Sequence, residues 1–325
     1  MKKYISIVIA AMLVMTGLCA CRRSSASDEK KLQIVTTIFP EYDWVQNVLG
    51  ENPSGAEVTM LLDNGVDLHS YQPTAEDILK ISTCDLFIYV GGESDEWVED
   101  ALKTATNKDM VVINLLETLG DKVVEEEVIE GMEGEEEEGE GEAEEEPEYD
   151  EHVWLSLRNS TVLVDSISDA LKKIDAKNAS VYEKNAASYK EKLSALDAKY
   201  AQAVSEARVK TLLFGDRFPF RYLVDDYGLT YYAAFVGCSA ETEASFETIA
   251  FLSAKLDELK LPAILTIEGG SRKVAETILY NTPTHDQKIL VLDSMQSTVG
   301  DKAAYGQDYL AVMRKNLEVL KEALK

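Results

Sequence analysis

Between Ala176 and Ala207 the chain contains neither proline nor glycine. Ala, Lys, Glu, Leu and Tyr dominate the stretch, and Tyr182, Tyr189, Leu193, Leu196 and Tyr200 recur near helical spacing. A helix of this span reaches ~45 Å at ~1.5 Å per residue, about the length of a whole domain. A helix so long and free of breaks can act as a rigid strut, and the parts on either side of it can fold as separate lobes. Helical character extends over the whole linking region, 160–208.

Both flanks alternate strand with helix. Leu32–Thr37 is β-branched and apolar, Glu41–Leu49 is helical after Pro40, and Glu57–Leu62 is a second strand. Thr74–Ser82 reads as a helix with Thr74 as its N-cap and Asp77 three residues on. Asp85–Val90, Trp97–Thr104 and Met110–Asn114 continue the pattern. After the strut come the strands Thr211–Phe214, Leu229–Phe235, Ala263–Ile267 and Ile289–Leu292. Between and after them lie helices at Phe218–Tyr227, Phe246–Leu259, Ser271–Tyr280 and Tyr305–Leu324. Such alternation implies parallel pairing. The expected fold is α/β: two α/β lobes with parallel-rich sheets, 32–159 and 209–325, joined by one long rigid helix.

The amino terminus reads as a targeting segment. Lys2 and Lys3 precede an uncharged apolar run from Tyr4 to Leu18, too short for a comfortable membrane span. Leu18-Cys19-Ala20-Cys21 follows and resembles the lipobox of bacterial lipoproteins. On that resemblance residues 1–20 are a signal peptide, Cys21 is lipidated and 21–31 is a polar tether. The expected location is the extracytoplasmic face of the cell membrane, with the lipid as the only anchor, because no later stretch is apolar enough to span a bilayer.

The formal net charge of −27 argues against nucleic acid as a partner, since phosphate binding needs a basic face. Much of that charge sits in Glu125–Glu151, mostly Glu with interspersed Gly and no usable apolar period. Such a stretch is expected to be a disordered loop. Its summed potential can concentrate cations, or it can be a solvated insertion only. With Cys19 in the signal peptide and Cys21 lipidated, Cys84 and Cys238 remain; their spacing does not establish a disulfide.

Only three histidines occur. His69 lies in Asp67-Leu68-His69-Ser70-Tyr71-Gln72-Pro73, just past a strand, and His152 in Asp150-Glu151-His152-Val153-Trp154-Leu155-Ser156, past the acidic stretch. Both positions lie beyond regular elements, where α/β lobes present ligand-binding groups. Two imidazoles with nearby carboxylates can bind a divalent transition metal. The two lie far apart in sequence, so spacing alone makes no local ligand motif. His285 stands in a turn outside this pattern.

From Leu32 to Leu324 the chain resembles the zinc and manganese solute-binding lipoproteins of bacterial ABC importers. Ile34-Val35-Thr36-Thr37-Ile38-Phe39-Pro40, the two histidine segments, Asp226-Tyr227-Gly228-Leu229 and Leu292-Asp293-Ser294 carry the resemblance. It implies a metal site in the cleft between the lobes, with His69, His152 and Asp293 at three of four ligand positions. The remaining position falls at Gly215, which has no side chain. Asp216 is the favoured substitute, against a role as N-cap of the following helix. Glu241, Glu243 and Glu268 are further carboxylate candidates, and water is another. For Glu268 the competing role is a charge at a helix N-terminus. Cys238 can be a soft ligand or a small buried residue beside Gly237. Arg217, beside the site, must turn away or pair with a carboxylate.

The resemblance thus implies a monomeric, non-enzymatic receptor that binds Zn2+ or Mn2+ as transported ligand and delivers it to an ABC permease. The alternatives are a surface adhesin of the same fold or a zinc-dependent hydrolase. No His-Glu-x-x-His segment supports the hydrolase.

Overall fold

The structure, a computed structural model, describes residues 31–134, 148–239, 243–298 and 308–325. Cys21 and Glu241 lie outside them. The N-terminal lobe runs β1 (Gln33–Thr36), α1 (Phe39–Leu49), β2 (Glu57–Met60), α2 (Ala75–Thr83), β3 (Leu86–Tyr89), α3 (Trp97–Lys103), β4 (Val111–Asn114) and α4 (Leu115–Leu119). Its sheet has the order β2-β1-β3-β4, and every pair is parallel. Helices cover the faces, so β3 is an almost continuous apolar run with Leu86, Phe87 and Ile88 fully buried. Pro40 stands in the first turn of α1, where its missing N–H costs nothing. Thr74 and Asp77 form the expected capping box of α2.

The linking region is two helices, α5 (Leu157–Ile174) and α6 (Ala179–Glu206). The expected continuous helical region is interrupted at 175–178 by a short 3-10 turn, where Asp175 takes a non-helical backbone. The strut α6 has 28 residues, hence a length of ~42 Å. Tyr182, Ala186, Tyr189, Leu193, Leu196, Tyr200 and Val204 form its buried stripe. Near its start Asn185 donates to the Val48 carbonyl at the end of α1 (3.0 Å) and Tyr189 donates to Asp43 (3.0 Å). Near its end Tyr200 donates to the Met313 carbonyl (2.6 Å).

The C-terminal lobe repeats the layout: β5 (Thr211–Phe218), α7 (Arg221–Tyr227), β6 (Thr230–Val236), α8 (Phe246–Glu258), β7 (Ala263–Ile267), α9 (Lys273–Tyr280), β8 (Lys288–Leu292) and α10 (Tyr309–Ala323). Its parallel sheet has the order β6-β5-β7-β8. One apolar core runs through both lobes and the strut. A smaller one, with Leu213, Phe235, Leu252 and Ile264, lies in the second lobe.

The acidic stretch is more ordered at its ends than composition suggests. Glu125 bridges Tyr149, and Glu133 bridges Phe235 of β6. Met132 is buried, Glu127 pairs with Arg221, and the Ser245 N–H donates to Glu133 (2.6 Å). Residues 125–134 and 148–151 of the expected loop thus have defined partners, and 135–147 lie outside the described residues. Backbone pairing and a few side-chain anchors hold these flanks where apolar periodicity is absent.

Asp43 ties α1 to the strut. Burial pushes its carboxyl up to about 7, against the opposing hydrogen bond from Tyr189. The folded state thus retains a proton that the unfolded chain gives up near pH 4. This contribution to stability is present in acid and is lost as pH rises toward 7. Asp43→Asn, neutral throughout, is expected to gain on wild type by roughly 1–3 kcal/mol over that window. Thermal melting at pH 5 and pH 8 checks it; a pH-independent difference between the two proteins contradicts the assignment.

Candidate metal centre

Every polar group at the centre follows the carboxyl end of a strand. His69 comes after β2, Ser94 after β3, and His152 after β4, α4 and the acidic stretch. Cys238 follows β6 and Gln296 follows β8. Carboxyl ends of parallel strands are where α/β sheets present ligand-binding loops. Here the two lobes direct them into one cleft.

His69 sits in a single 3-10 turn, Leu68–Ser70, whose N-cap Asp67 accepts from the His69 N–H (3.1 Å). Its Nδ1 lies 2.7 Å from Ser94 Oγ and 3.6 Å from Glu151 Oε2. His152 is fully buried. Asp150 Oδ1 accepts from the His152 backbone N–H (2.8 Å) and lies 3.0 Å from Nδ1. In the neutral imidazoles, a proton on each Nδ1 leaves each Nε2 with the lone pair. The two Nε2 atoms face one another at 3.2 Å. Two imidazole nitrogens on one tetrahedral zinc, each at ~2.0–2.1 Å, stand ~3.3 Å apart. The spacing fits a shared ion without rebuilding either loop.

Electrostatics keeps the pair unlike. Burial, and then the neighbouring His152, push the His69 imidazole down to about 3. Burial also opposes charge on His152, but Asp150 outweighs it and holds that group above its ordinary value.

Cys238 is the third member. One ligand atom each from His69, His152 and Cys238 lie within 4.8 Å of one another. Gly237 makes the approach possible: an added Cβ would stand 2.9 Å from His152 Cε1 and 3.0 Å from the Phe218 carbonyl oxygen. Glu126, from the ordered edge of the acidic stretch, accepts from the Cys238 N–H (3.3 Å). Cys84 packs against Met110 Sδ (3.3 Å) in the other lobe and forms no disulfide with Cys238.

The carboxylates expected as ligands are placed elsewhere. A register shift in β5 falls between Phe214 and Arg217, so the strand does bend at Asp216. Yet the bend aims Asp216 into its own lobe, where Oδ1 accepts from Arg217 N (2.9 Å) and Oδ2 from Ile267 N (3.1 Å). Gly215 has a packing reason of its own. A Cβ there would be 2.6 Å from Ala275 Cα in α9, so no side chain fits. Asp293 Oδ1 accepts from Met295 N (3.0 Å), and Glu243 is exposed. Neither joins the three-residue cluster, the one group of its kind among the described residues. Arg217 pairs with Asp67 (2.7 Å) and donates to the Ser239 carbonyl (3.3 Å), which fastens the His69 turn to the Cys238 loop.

Gln296 was not expected. It is 2 % exposed, and its amide nitrogen stands 2.8 Å from His69 Nε2 and 2.6 Å from His152 Nε2. Ser294 Oγ lies 3.0 Å from its Oε1 and 2.9 Å from Glu268 Oε1. Glu268 therefore supports the centre through Ser294, and burial together with Asp293 pushes its carboxyl up to about 7. Turned over, the Gln296 amide presents oxygen instead of nitrogen to the same point. Gln296→Glu places an anionic oxygen there at constant size. It is expected to tighten zinc binding about tenfold or more, measured by competition with a chelator of known affinity. An unchanged or weakened affinity would show that residue 296 does not face the ion.

Comparison with known proteins identifies the family and the fold. Residues 34–323 match the family model described as zinc-uptake complex component A, periplasmic (ZnuA). The zinc-binding lipoprotein AdcA of Streptococcus pneumoniae is 34% identical over 324 residues, which cover 98% of this chain and 61% of that protein. The chain thus spans about three fifths of such relatives. The high-affinity zinc uptake system protein ZnuA of Bacillus subtilis is 32% identical over 98% of this chain and 96% of its own. Among solved structures, the Zn(II)-bound ZnuA-like domain of the pneumococcal protein superposes with a TM-score of 0.70 at 31% identity, covering 90% of this chain and 99% of that one. The metal-dependent lipoprotein YcdH of Bacillus subtilis gives 0.73 at 28% identity, over 91% and 100%. The match of the family model over residues 34–323, on a fold of two α/β lobes joined by a long helix, places this protein in the ZnuA family of zinc-uptake components.

Proposed function

We propose that this chain is an extracytoplasmic receptor that captures one zinc ion between its lobes and delivers it to the permease of an ABC importer. The observation that carries the proposal is the facing pair of imidazoles. Their Nε2 atoms stand 3.2 Å apart, with Nδ1 of His152 beside Asp150 and Nδ1 of His69 beside Ser94. The zinc-uptake names of the family and of its relatives support the choice of cargo. Manganese, the other cargo considered, favours oxygen donors. The cluster found around the two imidazoles among the described residues contains no carboxylate.

The receptor role also needs a place. The lipoprotein name of the pneumococcal relative supports the reading of Cys21 as a lipid attachment point. A tether keeps the receptor near its permease after the cargo is released. Among the described residues no helix is long and apolar enough to cross a membrane.

Delivery requires that capture be reversible. His152 is buried between the lobes while His69 is partly accessible. Both imidazoles belong to the first lobe, so movement of the second lobe away from them would expose the ion and allow its release.

His152→Ala removes one imidazole and leaves Asp150 without its ring partner. Its zinc affinity is expected to fall by ~100-fold or more, read by competition titration. In a strain lacking the chromosomal copy, the variant should fail to support growth in zinc-limited medium where wild type succeeds. Full growth and unchanged affinity in the variant would contradict the receptor reading.

A further inference from the structure

We propose that the Cys238 thiolate is the third protein ligand of the cargo ion and that its sulfur biases the site toward zinc over manganese. The inference rests on the receptor reading and names the residue that sets its selectivity. Three observations carry it. His69, His152 and Cys238 bring one ligand atom each within 4.8 Å of one another, and no other such cluster of His, Cys, Asp and Glu occurs among the described residues. The position on β5 that would otherwise supply a donor has no room for a side chain, because α9 lies against Gly215, and the next carboxylate, Asp216, turns away. The Cys238 loop is held in place from two sides. Glu126 accepts its N–H at 3.3 Å, and Arg217 donates to the neighbouring Ser239 carbonyl while paired with Asp67 of the His69 turn.

Chemistry follows from the donor set. When the ion binds, the Cys238 S–H gives up its proton to solvent and the sulfur lone pair forms the metal–sulfur bond, so one proton leaves for each ion bound. Two imidazoles and a thiolate form a borderline-to-soft set common for zinc and poor for manganese, which prefers oxygen. Gln296 is a further polar side chain beside both imidazoles.

Cobalt(II) is the probe, because a thiolate bound to it gives a ligand-to-metal charge-transfer absorption that imidazole and carboxylate ligands do not. The purified wild-type protein is expected to show this band with the visible bands of a tetrahedral ion. Cys238→Ser should lose the charge-transfer band. It should also lose ~100-fold or more in zinc affinity while manganese affinity moves by less than about threefold. Cys238→Asp, a second variant with a hard donor at the same place, should lower the zinc-to-manganese affinity ratio without restoring the band. Circular dichroism confirms that each variant is folded. The proposal is overturned if Cys238→Ser keeps the band, or if it keeps zinc affinity within about threefold of wild type. Should His152→Ala abolish binding in that case, the receptor reading survives and only the sulfur ligand falls. If His152→Ala also binds zinc normally, both fail.

Discussion

The centre of this molecule depends on an engaged nitrogen. Asp150 takes Nδ1 of His152 inside a site that excludes water, and Ser94 takes Nδ1 of His69 from a different loop. An imidazole held this way has one remaining lone pair with a fixed direction. Two such directions meet only if two loops from separate parts of the chain are held in register. The fold supplies that register. Trp154, fully buried two residues beyond His152, donates from its indole to the Ser294 carbonyl in the other lobe (2.8 Å). Tyr309 from α10 donates to the Trp154 carbonyl (2.6 Å), and Arg217 joins Asp67 across the cleft. A long strut keeps the lobes apart while these contacts bring their loops together.

Much of the architecture was legible from pattern. The strand–helix alternation, the tyrosine-and-leucine stripe of the strut and the Thr74 cap rest on periodicity and capping chemistry, which are local properties. His69 and His152 stand out in the sequence because histidine is scarce here and both lie beyond regular elements. Other parts were not local. Whether Asp216 reaches the cleft depends on a register shift in β5 and on the nearby Ile267 N–H, neither visible in sequence. The absence of a side chain at Gly215 looked like a missing ligand and is a packing requirement set by a helix some sixty residues later. Gln296 left no signal, because an amide three residues past a strand end is unremarkable until two imidazoles are found beside it. Cys238 reads from sequence first as a small buried residue beside Gly237 and only second as a ligand; its nearness to both histidines is not visible in the sequence.

The acidic stretch shows the limit of composition as a guide. A run of glutamates cannot fold by burying itself, yet its two ends pair with one another at Glu125 and Tyr149, and Glu133 pairs with β6. The charge that argued for a solvated loop thus begins beside the metal centre: Glu126 touches the Cys238 backbone and adds to the field at His152.

The central claim is positional: one ion, between two imidazoles, in the cleft. The most direct measurement is a crystal structure of the zinc-loaded protein with anomalous differences collected on both sides of the zinc absorption edge. The account predicts a single strong peak ~2.0–2.1 Å from Nε2 of both His69 and His152. A peak bound to the acidic stretch instead, or none in contact with His152, would contradict it.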